Sequence, residues 1–223
     1  MPIFALFKKN QERIHPQEWY LVDFCVQGQE RAGRTLLTQF ERMPKRAKYF
    51  KSISDVLYDT TKDKPVLQYD HILSHIDRLP YGFVSRIAPR DFEMLMPDSM
   101  TEEEKHVYYN NLKEAIENSA PSYRDFKYKL DSALDVAIKR VQWNFKSAIP
   151  MYYPRKDEMC LLLPLSLVDD DTVDVALVVE TTPTGVYYGV TIYKLNWAYK
   201  CARLVCRPDS DWLKAGFSTD DDE

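Results

Sequence analysis

Residues 144–213 read NFKSAIPMYYPRKDEMCLLLPLSLVDDDTVDVALVVETTPTGVYYGVTIYKLNWAYKCARLVCRPDSDWL. Their pattern decides the fold. Pro150 closes a long helical run, and beyond it the hydrophobic period shortens from that of a helix to that of a strand. CLLLPLSLV, DVALVVETT and GVYYGVTIYKL are short and rich in β-branched and aromatic residues, the composition that packs on a pleated surface. DDD and PTG between them are turn signals. Three strands on short turns predict an antiparallel meander. CLLLPLSLV is apolar almost throughout, so that strand is expected to be covered on both faces. Pro164 inside it lacks a backbone N–H, which predicts an edge position or a bulge. NWAYKCA predicts a helical turn, and RLVCRP a fourth short strand.

Upstream the period is helical. In residues 101–119, Thr101 and Glu104 have the spacing of a capping box, and the acids of the first turn suit the helix dipole. Ser122 and Asp125 repeat that spacing ahead of the strongest helix. Its apolar face runs through Phe126, Leu130, Leu134, Ala137 and Val141 to about Ser147. Helices are also expected over 17–26, ended by Gly28, and over 30–43, 48–58 and 69–78. Residues 80–100, with three prolines, are the least regular. The chain therefore reads as one α+β domain over 1–217, with helices (1–149) packed on a C-terminal antiparallel β-meander (150–217). Residues 218–223 are an acidic tail expected to be disordered.

Composition narrows the function classes. Of 223 residues, 45% are hydrophobic, enough for a sizeable core. No run of 18 apolar residues occurs, so no membrane span is expected. The first residues do not follow the order of a secretory signal, which points to a cytoplasmic protein. The four cysteines form no CxxC pair and share no ligand spacing with the histidines, so free thiols are expected and no metal site. His71 and His75, four apart, could share a helix face, a weak metal signal by itself. No P-loop, dinucleotide fingerprint, GxSxG or HExxH motif is present, and no cofactor is expected.

Several separated blocks resemble a known family. They are YDHILSHIDRLP, the long helix ending in NFKSAIPMYY, LLLPLSL, YYGVTIYKLNWAYKCARLV and PDSDWL. Together, over roughly residues 67–213, they are similar to an uncharacterised domain-of-unknown-function family often found C-terminal to cold-shock and OST-HTH (LOTUS) RNA-binding domains. The matching positions include His71, Arg78 to Pro80, Leu163 to Leu165, Ala198-Tyr199, Ala202 to Leu204 and Trp212-Leu213. The resemblance implies a neighbourhood of RNA rather than a reaction.

The residues themselves supply candidates for that neighbourhood. Net charge is −4, yet residues 31–51 carry seven Lys and Arg against Glu41 alone. Arg34, Arg42, Lys45 and Arg46 in this cluster would meet phosphates, or else form a solvated face. Arg203 and Arg78 stand among apolar neighbours. Each needs either an internal carboxylate, such as Asp77 or Glu180, or an anionic ligand. Tyr152, Tyr199 and Asn144 belong to a tyrosine-rich, partly basic region that could stack bases, although strand tyrosines are also ordinary core residues. On a regular strand Tyr187, Gly189, Thr191 and Tyr193 share one face. His71 is the candidate general acid or base. Three readings follow: an accessory domain binding RNA or single-stranded nucleic acid; an enzyme on RNA or a nucleotide with His71 and Arg203 in one pocket; or a protein-interaction module, for instance in phage or host defence.

Overall fold

The computed structural model describes residues 2–10, 17–44, 50, 52–153, 156 and 158–203. The chain divides into two compact units, Met1–Lys48 and Tyr49–Glu223.

In the first unit, β1 (Phe4–Lys9) and β2 (Trp19–Cys25) form an antiparallel hairpin followed by α1 (Glu30–Gln39). The helix expected over 17–26 is thus a strand. WYLVDFC is apolar but for Asp23, and so uniform a run carries no period that separates helix from strand. Gly28, at φ 82°, turns the chain from β2 into α1 and is not a helix terminator. Leu6, Cys25 and Leu36 make a small core, while Phe7, Trp19, Leu21 and Phe24 remain exposed.

The second unit is α+β, as expected. Its sheet holds β3 (Val66–Leu67), β4 (Ile149–Tyr153), β5 (Glu158–Leu165), β6 (Val175–Thr181) and β7 (Tyr187–Lys194). The spatial order is β3-β7-β6-β5-β4. β5 to β7 form the predicted antiparallel meander; β4, a strand the sequence reading did not name, extends it antiparallel, and β3 adds to β7 in parallel, so the sheet is mixed. Two residues are too few to leave a strand pattern in the sequence. The strand expected in RLVCRP lies almost wholly outside the described residues; Ala202 just before it bridges Met151.

The helices are α2 (Tyr69–Leu73), α3 (Tyr81–Ile87), α4 (Glu102–Asn118), α5 (Ala120–Trp143) and α6 (Leu195–Cys201). The capping box of α4 forms as read: Thr101 Oγ1 accepts from the Glu104 N–H, and the Glu104 carboxylate accepts from the Thr101 N–H. The Thr101 N–H and, next in weight, its hydroxyl, both donating to that carboxylate, hold the Glu104 carboxyl below its ordinary pKa. α5 is capped by Ser119 and not by Ser122, because the helix begins before Pro121, whose fixed φ suits a first turn. Expected helices over 48–58 and 69–78 shrink. The first is a 3-10 turn at Ile53–Val56, and the second breaks after α2 into a 3-10 turn at Ile76–Arg78.

One sheet face presents Leu161, Leu163, Leu165, Leu177, Val179 and Ile192 to Leu112 and Ile116 of α4 and to the apolar stripe of α5. Phe126, Leu130, Leu134 and Val141 of that stripe are essentially fully buried, each contributing about 1.5–3 kcal/mol. The other face, with Ile149, Met151, Cys160, Leu162, Ala176 and Val178, is covered by Ala198 of α6. β5 is accordingly buried on both sides. Pro164 is tolerated because β4 pairs with β5 only as far as Leu162, leaving the proline on a local edge.

A bulge in β7 redirects the site. Val179 pairs with Gly189 and Val178 with Thr191, leaving Val190 as the extra residue. Tyr187, Gly189 and Ile192 therefore face the helix layer, whereas Thr191 and Tyr193 face the side of α6. Strict alternation would have kept Tyr187, Gly189, Thr191 and Tyr193 together.

Candidate functional site

A cleft of about 530 Å³ opens beside the C-terminal half of β7. α2 and the turn after it form one wall, through His71, His75 and Arg78. Thr191 and Tyr193 of β7 form the floor, and Trp197, Lys200 and Cys201 of α6 form the opposite wall, with Tyr153 at the end of β4.

Each wall is fixed by its neighbours. The Gln68 N–H donates to the Gly189 carbonyl at 3.0 Å, which ties the start of α2 to β7. Tyr69 donates to Asp131 at 2.8 Å, and Tyr123 hydrogen-bonds Asp70, so α5 clamps α2 from the other side. Burial, with the hydrogen bond to a carboxylate next in weight, pushes both phenols up to about 12. α2 stops at Ser74, whose hydroxyl donates to the His71 carbonyl at 2.6 Å. The break brings the His71 and His75 rings into an edge-to-face contact, with centroids 4.9 Å apart.

Arg78 is the best-oriented cation of the site. Its Nη1 donates to Thr191 Oγ1 at 3.3 Å and to the Ile192 carbonyl at 3.2 Å. Its guanidinium lies 5.2 Å from the centre of the Trp197 ring, and Trp197 in turn meets Tyr193 edge-on at 6.3 Å. Nε of Arg78 is buried without a hydrogen-bond partner, and among the described residues no carboxylate lies within ion-pair distance of this side chain. A desolvated guanidinium donor without an acceptor is costly unless something supplies one.

The titratable groups are set by the same surroundings. Burial lowers the His75 pKa, and the charges of Arg78 and His71 lower it further against a smaller opposing effect of Asp77. His75 is therefore neutral near pH 7, able to accept a proton or a hydrogen bond. Burial raises the pKa of Tyr193 and of Cys201, so both stay protonated; the charge of Arg203 partly opposes this at Cys201. The cleft thus combines a fixed cation, a neutral imidazole, an exposed imidazole, an exposed lysine and three aromatic rings. It suits an anion attached to a flat ring.

The sequence candidates distribute unevenly. His71 and Arg78 line the cleft together. Arg203 follows α6: its N–H donates to the Pro150 carbonyl at 2.7 Å and its Nη1 to the carbonyls of Cys201 and Ala202. It is not a lining residue. Glu180, considered as its partner, pairs with Lys156 at 2.7 Å. Tyr199 is exposed on α6 outside the cleft, and Tyr152 pairs with Met159 while its neighbour Tyr153 turns into the cleft. Asn144 caps the 3-10 turn Phe145–Ser147 by accepting from the Lys146 N–H at 3.1 Å. Arg34 and Arg42 are exposed in the first unit, and Lys45 and Arg46 lie outside the described residues.

Sequence reasoning passed over His75, and it had Thr191 and Trp197 only as parts of a strand surface free for a ligand, not beside Arg78. His75 was legible only as the fourth residue after His71. Thr191 and Trp197 needed the bulge and the packing of α6, which no local pattern announces. Among the described residues no cluster of three or more His, Cys, Asp or Glu is placed to hold a metal ion. No helix among them is long and apolar enough to cross a membrane. A second hollow of about 720 Å³ adjoins His75, but its acids and bases, such as Glu102 and Lys105 at 2.7 Å, largely neutralise one another.

No curated protein and no solved structure matches the chain. The model of a family described as "Domain of unknown function (DUF3825)" matches residues 1–212, and the chain belongs to that family.

Proposed function

We propose that the protein binds single-stranded nucleic acid, RNA in particular, through the cleft between α2, β7 and α6. The observation that carries this reading is Arg78, which lines the cleft stacked on Trp197 and has, among the described residues, no carboxylate within ion-pair distance. A phosphate oxygen would pair with the part of the guanidinium that lines the cleft, Lys200 at the rim would add charge, and Trp197 or Tyr193 would stack a base. Arg34 and Arg42, exposed in the first unit, would meet phosphates in their own right. The resemblance to a family found C-terminal to cold-shock and OST-HTH domains points towards RNA as well.

The test is fluorescence anisotropy of a labelled, mixed-sequence single-stranded RNA against the purified protein, across a salt series. Stacking of one base is worth about 1–3 kcal/mol, so Trp197→Ala should weaken Kd by roughly 5- to 150-fold. Arg78→Ala should weaken it and flatten the salt dependence. Unchanged affinity in either variant, with the fold checked by circular dichroism, refutes the cleft as the site. Absence of binding at low salt refutes nucleic-acid binding altogether.

A further inference from the structure

Two imidazoles in edge contact exceed what phosphate binding requires. His71 and His75 line one cleft, 4.9 Å apart between ring centres, beside an arginine whose direction is fixed by Thr191 and by the Ile192 carbonyl. Two imidazoliums at that distance repel, so the pair favours holding a single proton. His71 is the exposed ring of the two. The half-buried ring, His75, is pressed towards neutrality by desolvation and by Arg78. One donor and one acceptor then sit side by side against a cationic clamp, which is the minimum set for moving two protons during displacement at a phosphoryl centre.

We propose that the cleft cleaves the RNA it binds, with His75 and His71 as proton acceptor and proton donor at one phosphodiester. The inference rests on the binding reading above. His75 takes the proton of a ribose 2′-hydroxyl, and the freed oxygen forms a bond to phosphorus. The bond from phosphorus to the 5′-oxygen of the next nucleotide breaks, and that oxygen leaves with the proton of His71. Arg78 holds the non-bridging oxygens as their charge grows, and Trp197 or Tyr193 holds a flanking base. The products are a 2′,3′-cyclic phosphate and a 5′-hydroxyl. Atoms and electrons balance without an oxidant, reductant or co-substrate, and solvent returns the two histidines to their starting states. The substrate class is RNA with a free 2′-hydroxyl at the scissile nucleotide. DNA and 2′-O-methyl RNA would bind and survive.

The test uses the full chain with two 20-nucleotide RNAs of one mixed sequence, unmodified and fully 2′-O-methylated, each labelled at the 5′ end. Gel analysis follows cleavage and anisotropy follows binding. The expected result is that both bind, that only the unmodified RNA is cut, and that its fragments end in cyclic phosphate. His75→Gln and His71→Gln, purified in the same way and shown to be folded, should each cut at least about 100-fold more slowly with binding retained. Three results overturn the inference: unmodified RNA that binds but stays intact, cleavage of the 2′-O-methyl RNA, or variants that cut at the rate of the wild type. The last would mark a contaminating nuclease. Binding of 2′-O-methyl RNA reports on the binding reading alone, so its absence would count against that reading separately.

Discussion

Gly189→Ala should destabilise the second unit and loosen the cleft at one stroke. Gly189 lies on β7 just before the bulge, facing the helix layer. A Cβ there would sit 2.6 Å from Leu67 Cδ2 and 3.3 Å from both methyls of Leu177. Leu67 is 6% exposed and Leu177 is 0% exposed, so neither side chain can swing into solvent. Relief has to come from separating β3 from β7. Overpacking of this kind costs about 1–3 kcal/mol. For a unit of this size each kcal/mol is worth about 2–4 °C, so the melting temperature should fall by roughly 2–12 °C. The same shift would loosen the bond from Gln68 to the Gly189 carbonyl that anchors α2, and with it His71 and His75. Gly82→Ala is the control. Its Cβ would meet Val168 at an ordinary 3.4 Å, and it lies in α3, where alanine is preferred by up to about 1 kcal/mol. Differential scanning fluorimetry on both variants decides the matter. A Gly189→Ala protein as stable as the wild type, or more so, would refute the packing assigned to β3 and β7.

Two further outcomes follow from burial. Leu134→Ala, at a fully buried position of α5, should cost about 2–5 kcal/mol in chemical denaturation, whereas Tyr128→Ala on the 72% exposed face of the same helix should leave the midpoint nearly unchanged. Burial, with the charge of Glu180 next in weight, pushes the Cys160 thiol up to about 12, so its reactive thiolate is scarce below that pH. Mass-spectrometric mapping after brief iodoacetamide treatment at pH 8 should therefore find Cys160 unlabelled in the native protein and labelled in denaturant; rapid native labelling would contradict its burial on the face of β5 that α6 covers.

Much of the second unit was legible because its signals are local and repeated. The stripe of α5 runs from Phe126 to Val141, about four turns, the Thr101–Glu104 pair caps as its spacing predicts, and β5 to β7 carry strand composition with turn residues between them. What was missed depends on tertiary partners. β2 is a strand because it pairs with β1, not because its apolar run alternates. β3 exists through two residues docked on β7. The bulge at Val190 moves Thr191 and Tyr193 to the face opposite Tyr187, which a strict period of two cannot foresee. For the site, His71 and Arg78 were singled out and do meet. Arg203, equally conspicuous in sequence, spends its hydrogen bonds on backbone carbonyls at the end of α6. Residue type suggested the chemistry, and the break after α2 and the bulge in β7 selected which residues share the cleft.

The most direct measurement is ultraviolet cross-linking of a labelled single-stranded RNA to the full-length protein, with the modified peptides mapped by mass spectrometry. The account predicts cross-links at Trp197, Tyr193 or Tyr153, lost in Arg78→Ala. Cross-links confined to residues 31–51, or none at all, would contradict the cleft as the nucleic-acid site.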